Sequence, residues 1–462
     1  MILLLSTYEL GRQPFGLASP AAWLRGAGLE VVAADLSRDR LSSLPVERAR
    51  LVAFYLPMHT ATRLALPVIE RVASLNPNAH LCAYGLYAPL SADTLRAHGV
   101  HTILGPEFEQ DLTTLAVGAD AGAAGTKVPA YVPGYVPAYV PAYVRGRLPI
   151  LPFVVPDRSG LPGLDRYASL QMADGTRRRV GYTEASRGCK HLCRHCPIVP
   201  VYGGQFRVVP TEVTLDDIAA QVERGAEHIT FGDPDFFNGP THARRLIEAL
   251  AARFHGLSYD VTIKVEHLRR HADLLPVLRD TGCLFVTSAV EALDDHILER
   301  LEKGHTRADV VAVVDSMREV GLALAPTFVA FTPWTTLEGY LDLLETIDEL
   351  ALVESVSPIQ LAIRLLMPEG SRLLELPEIR SLAGSLDPAA LVHPWRHPDA
   401  RVDRLQRLLQ QLVGRSLHQP RAEIFDQARA MAYEAIGRTP LPRQEPRAAR
   451  ATVPYLTEPW YC

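Results

Sequence analysis

Lysine is almost missing from this chain: four stand among 47 basic residues, so an ammonium is never the default cation here. Three of the four, Lys190, Lys264 and Lys303, fall in one central stretch. The formal net charge of −5 removes any electrostatic reason to expect a nucleic-acid or anionic membrane surface. Long apolar runs are absent as well, which excludes a spanning helix of about 18 residues. The N-terminus "MILLLSTYELGRQPFG" turns polar too early for a secretory leader, so a cytoplasmic protein is expected. Six cysteines in 462 residues are too few for a disulfide framework. At roughly 150 residues per domain, a chain that is 48% apolar holds two or three domains with sizeable cores.

Short apolar strands alternate with helical stretches from the first residue: "MILLLS", "LEVVAADL", "ARLVAFYLP", "AHLCAYGL" and "VHTILGP". That rhythm predicts a doubly wound α/β domain over residues 1–115, with its ligand edge in the loops after the strands, "STYELGRQPFG", "LPMHTAT" and "YGLYAPLS". Four tandem Val-Pro-Ala/Gly-Tyr units, Val128 to Tyr143, follow in a linker spanning 116–150, where proline blocks both helix and ladder. A second βα series over 151–375 offers six strands: "RVGYTEAS", "HITFGD", "YDVTIKVEH", "CLFVTSAVE", "LALAPTFVAF" and "VSPIQLAIRLLMP". Six parallel strands fit a partial (β/α)6 TIM-type barrel with its site at the C-terminal strand ends. A helical region (376–437) and an extended tail (438–462) complete the chain.

The first barrel strand ends at "YTEASRGCKHLCRHCPIVPVYGG", which places Cys189, Cys193 and Cys196 in a C-x3-C-x2-C loop. Three thiolates on a short loop can hold three corners of a cubane iron-sulfur cluster and leave one iron open to a small chelator. A Cys3His zinc site completed by His191 or His195, or a cluster used only for electron transfer, are the competing readings of the spacing. Cys82 and Cys283 lie in apolar runs and read as core thiols.

The spacing after a barrel strand resembles the radical S-adenosylmethionine (SAM) superfamily. That resemblance implies a [4Fe-4S] cluster whose open iron chelates SAM, and one-electron cleavage to a 5'-deoxyadenosyl radical. It assigns Gly232 and Asp233 of "TFGDPDF" to the SAM amino group, with Asp235 and Asn238 nearby, and carries over Ser288 and Glu291 as cofactor contacts; Arg364, on one strand face with Gln360, is a candidate to hold a carboxylate of the cofactor. Alternation in "YDVTIKVEH" puts Thr262, Lys264 and Glu266 on one strand face, so Lys264 and Glu266 are candidates for catalysis or for SAM and substrate contacts. A structural Asp233 turn, a Lys264–Glu266 ion pair and an outward Arg364 are the plainer readings.

A doubly wound domain before such a barrel resembles the cobalamin-binding class of the superfamily, which adds cobalamin as a further cofactor. The Asp-x-His-x-x-Gly motif for an axial histidine is missing, and His59 stands outside any such pattern. The tail "LTEPWYC" resembles the CUAEP/CCAEP-tail radical SAM (seleno)proteins. By that resemblance Cys462 is a candidate catalytic thiol, and the gene is expected to continue through a recoded UGA. The expectation is an enzyme that cleaves SAM to modify a small molecule or transfer a methyl or other SAM-derived group, fed by a reductant such as flavodoxin or ferredoxin. Transfer of the 3-amino-3-carboxypropyl group to sulfur or arsenic is the alternative chemistry. A non-catalytic zinc or iron-sulfur protein is the alternative outside enzymes.

Overall fold

The computed structural model describes residues 1–121, 148, 150–416, 419–440 and 454–457. The Val-Pro repeat and Cys462 lie outside them. Strands β1 (Ile2–Ser6), β2 (Val31–Asp35), β3 (Leu51–Tyr55), β4 (His80–Tyr84) and β5 (Thr102–Ile103) form a parallel sheet in the order β2-β1-β3-β4-β5. Strand alternation divides its core in two. Leu3, Leu5, Val52 and Phe54 pack toward the helix His59–Leu75. Ile2, Leu4, Leu51 and Ala53 pack toward helices Phe15–Gly26 and Glu109–Ala121. The order reverses between β1 and β3, where sheets of this type bind ligands at the carboxyl ends of the strands.

The second sheet comprises β6 (Ser169–Gln171), β7 (Arg177–Thr183), β10 (His228–Phe231), β11 (Ser258–Thr262), β12 (Cys283–Glu291), β13 (Ala323–Phe328) and β14 (Tyr455–Leu456). Its order is β13-β12-β11-β10-β7-β6-β14, with the five from β7 to β13 parallel. This is the curled partial barrel of an α/β fold, and its core is closed by helices Ala400–Ser416 and Arg421–Ala435. A short antiparallel hairpin, β8 (Ser186–Gly188) with β9 (Phe206–Val208), stands between β7 and β10. The tail strand β14 is antiparallel to β6, which is antiparallel to β7, so the tail runs in the same direction as β7.

Two strand expectations need correction. The segment "YDVTIKVEH" is strand only through Thr262; a helix Val265–Arg270 begins after Lys264. Val265 and Leu268 are both buried at helical spacing, so packing overrides the β-branched run that precedes them. The segment "VSPIQLAIRLLMP" supplies no full strand: Pro358 opens a 3₁₀ turn, and only the isolated bridge Phe331 to Arg364 continues the sheet.

Candidate active site

The hairpin β8–β9 staples the base of the cysteine loop. Gly188 has φ +74°, and a Cβ there would lie 2.3 Å from the Gln205 carbonyl oxygen, so only glycine lets the loop close. Above it the loop is pinned from outside. The Arg194 guanidinium donates to the Arg300 carbonyl at 2.9 Å and pairs with Glu302 at 2.7 Å. Arg372 holds both the Leu192 carbonyl and Glu302. The Lys190 amide donates to Asn238 Oδ1 at 3.2 Å, and its ammonium donates to the Asn238 carbonyl at 2.6 Å. Cys189 Sγ lies 3.9 Å from the same Asn238 Oδ1.

Burial pushes the Cys189 thiol up and Cys196 up to about 12, with Cys193 raising the latter further. Lys303 works in the opposite direction on Cys196. Its buried ammonium lies 3.4 Å from Glu291 Oε1, which also meets His195 Nε2 at 3.0 Å. Burial alone would raise the Glu291 carboxyl, but Lys303 and His195 outweigh it and hold it at about 2. Glu291 adopts φ +70°, a strained conformation for a non-glycine residue, at the end of β12.

The remaining expected residues stand in different polar surroundings. Asp233 accepts from the Ala185 amide at 2.9 Å and from the Ser186 hydroxyl, and burial raises it to about 7. A Cβ on Gly232 would sit 1.9 Å from the Tyr182 hydroxyl, so the glycine admits that ring. Asp235 is buried, with Oδ2 at 2.7 Å from His267 Nδ1 and 3.4 Å from His191 Nε2. Lys264 and Glu266 meet at 3.2 Å although they do not share a strand, and Lys264 Nζ lies 3.0 Å from His191 Nδ1. Ser288 is fully buried, with an unpartnered hydroxyl. Arg364 is bonded to Asp403 at 2.6 Å and stacked 3.5 Å over Trp395.

The histidines on the cysteine loop meet carboxylates, His191 at Asp235 and His195 at Glu291. His267 and His305 were not legible as site residues. His267 was hidden in a segment read as strand. His305, buried beside Lys303 and Lys264 and lowered to about 4 chiefly by burial, carries no motif.

Residues 183–347 match the Radical SAM superfamily. This segment belongs to that superfamily. The chain is 28% identical over 194 residues to the ribosomal protein uS12 methylthiotransferase RimO of Porphyromonas gingivalis, covering 38% of this chain and 42% of that protein. It is 26% identical over 149 residues to bacteriochlorophyllide d C-12(1)-methyltransferase of Chlorobaculum tepidum, covering 31% and 32%. Thus the chain spans about two-fifths or less of the length of these curated relatives. Among solved structures, the radical SAM methyltransferase TsrM of Kitasatospora setae, with tryptophan and aza-SAM bound, superposes with a TM-score of 0.64 at 19% identity, covering 82% of this chain and 76% of that one. The cobalamin-dependent radical SAM enzyme OxsB superposes with a TM-score of 0.66 at 12% identity, covering 94% and 71%.

The radical SAM donor set fits its [4Fe-4S] cluster. Three thiols sit on one pinned loop at the C-terminal end of the first parallel strand, and the two other described cysteines, Cys82 and Cys283, are buried in separate cores. Iron coordination keeps the thiolate form despite the burial that raises the free thiols.

Proposed function

We propose that this chain is a radical SAM transferase that moves a SAM-derived methyl group onto a small molecule, with a corrinoid between the N-terminal sheet and the barrel. The carrying observation is the polar layer between the two units. Arg187 on β8 donates to Glu109 at 2.6 Å and Glu184 at 3.0 Å, and Tyr202, beyond the cysteine loop, donates to Glu107 at 3.0 Å. Within this layer and the adjoining sheet edge, Ser6 Oγ and one carboxyl oxygen each of Glu9, Glu107 and Glu109 are buried without a hydrogen-bond partner. Acceptors of this kind suit the amide rim of a corrinoid. The likeness in fold to TsrM and OxsB supports the same reading.

Loaded with its cluster and fed one electron by a flavodoxin or ferredoxin, the site supplies cleavage of a SAM carbon-sulfur bond; a corrinoid supplies a methyl carrier. The chain's own residues position and seal. Cys189, Cys193 and Cys196 hold the cluster, while Lys264, Ser288 and Glu291 at the mouth offer polar groups to SAM and substrate. Phe15, packed edge-on to Tyr182 at 6.3 Å, helps close the domain junction against water.

The test is anaerobic reconstitution with iron, sulfide and hydroxocobalamin, then SAM, reductant and separation of the products. About one bound corrinoid per chain with S-adenosylhomocysteine beside 5'-deoxyadenosine is expected. Methylthioadenosine without corrinoid binding defeats the methyl reading and points to aminocarboxypropyl transfer.

A further inference from the structure

A second set of donor atoms converges beside the cysteine loop and is not used by the cluster. His191 Nε2, Asp235 Oδ2 and His267 Nδ1 lie within 4.8 Å of one another. They come from three places that the barrel brings together: the loop after β8, the turn after β10 and the helix after β11. All three atoms are buried and poorly aligned for hydrogen bonds, although His191 and His267 approach the Asp235 carboxylate closely enough to hold it low. The Asp235–His267 contact is short, 2.7 Å, but the ring N–H direction does not serve it. Asp235 Oδ1 is already engaged, accepting from the Phe237 amide at 3.3 Å and the Lys264 amide at 3.4 Å. Oδ2 is therefore the oxygen left for a cation. A carboxylate oxygen this close to two imidazole nitrogens is held by ring protons or by a metal ion that replaces them.

We propose that His191, Asp235 and His267 bind one divalent transition-metal ion, of the zinc or iron(II) type, with a coordination position left open for a donor atom of the substrate. Two imidazole nitrogens and one carboxylate oxygen select such ions over calcium or magnesium. Bonds of about 2.0–2.1 Å at tetrahedral angles put neighbouring donors about 3.3 Å apart. The 3.4 Å between His191 Nε2 and Asp235 Oδ2 matches this, and the 2.7 Å contact to His267 opens by a small ring rotation.

The surroundings supply the outer support such a site requires. In this structure His191 Nδ1 accepts from the Lys264 ammonium at 3.0 Å; with Nε2 on the ion the ring proton moves to Nδ1 and turns to Glu266 Oε2, 3.6 Å away, and Lys264 is left with its bond to Glu266 at 3.2 Å. Placed at the C-terminal strand ends, the ion would act as a Lewis acid that fixes an oxygen, nitrogen or sulfur of the substrate at the barrel mouth. The inference stands on this geometry and not on which SAM-derived group is transferred.

The full-length protein, reconstituted anaerobically so that iron and sulfide fill the three cysteines, is desalted and titrated with Zn2+ and, separately, with Co2+. One further ion per chain is expected, with a Co2+ ligand-field spectrum free of thiolate charge-transfer bands. His267→Gln and Asp235→Asn are expected to weaken binding by about tenfold or more at unchanged iron and sulfide content. His195→Gln, on the same loop but directed at Glu291, is expected to keep the ion. No additional ion, thiolate charge-transfer bands, or undiminished binding by His267→Gln overturns the proposal. If His267→Gln does not fold, His191→Gln decides by the same criteria.

Discussion

Lys303 and Glu291 share an electrostatic problem at the scale of single side chains, because each is a buried charge that the other makes tolerable. Removing one partner leaves the other uncompensated, at a cost of about 3–5 kcal/mol, whereas removing both restores much of that loss. Glu291→Gln is therefore expected to destabilise the protein strongly and Glu291→Gln/Lys303→Met less than the sum of the single changes. Denaturant unfolding of all four members of the cycle measures the coupling, and strict additivity would refute it. The cysteines pose a different case. Cys196→Ala removes one cluster corner, so 5'-deoxyadenosine formation is expected to fall to the heated-enzyme background; full activity would remove Cys196 from the cluster.

The cysteine loop depends, at the scale of elements, on a hairpin with a glycine at its crossing. Gly188→Ala sets a side chain in the left-handed region, at about 1–2 kcal/mol, and drives its Cβ into the Gln205 carbonyl. Lower iron retention after desalting is expected, and unchanged iron would separate the hairpin from the loop's integrity. The loop itself was legible in the sequence because three cysteines in a fixed spacing are a local signal. So were β1 to β4 and the parallel barrel strands β7, β10, β12 and β13, whose apolar runs are bounded by turn residues. What stayed hidden depended on distant partners. The start of the helix at Val265 is decided by burial of Val265 and Leu268 in the barrel core, and no local residue type announces it. The convergence of His267 with His191 and Asp235 follows from that same helix. The ring that Gly232 admits, Tyr182, likewise lies fifty residues earlier in the chain.

Arg158 joins the two units of the whole molecule. Its buried guanidinium forks onto both oxygens of Asp217 at 2.8 and 2.9 Å, donates to the Tyr182 carbonyl at 2.6 Å and reaches Gln13 of the N-terminal domain at 2.9 Å. Arg158→Met leaves Asp217 buried against its remaining donors, Thr183 and Gln221, and is expected to cost about 3–5 kcal/mol. Because the same change cuts the link to Gln13, calorimetry is expected to show one transition in the native protein and a broadened or split one in the variant. The N-terminal unit also carries an acid sensitivity of its own. Burial, with His101 adding to it, lowers His80 to about 4 in the folded sheet, and burial lowers His59, whose Nε2 lies 2.6 Å from the Ala390 carbonyl oxygen. A base lowered by folding binds fewer protons in the native state than in the unfolded chain, so stability is full above the ordinary histidine value near 6.5. Stability is then lost as pH falls toward 4. The native transition is expected to move down in temperature across that window, and His80→Gln is expected to make the decline shallower. An equally steep decline in His80→Gln would exclude His80 as a source of this sensitivity.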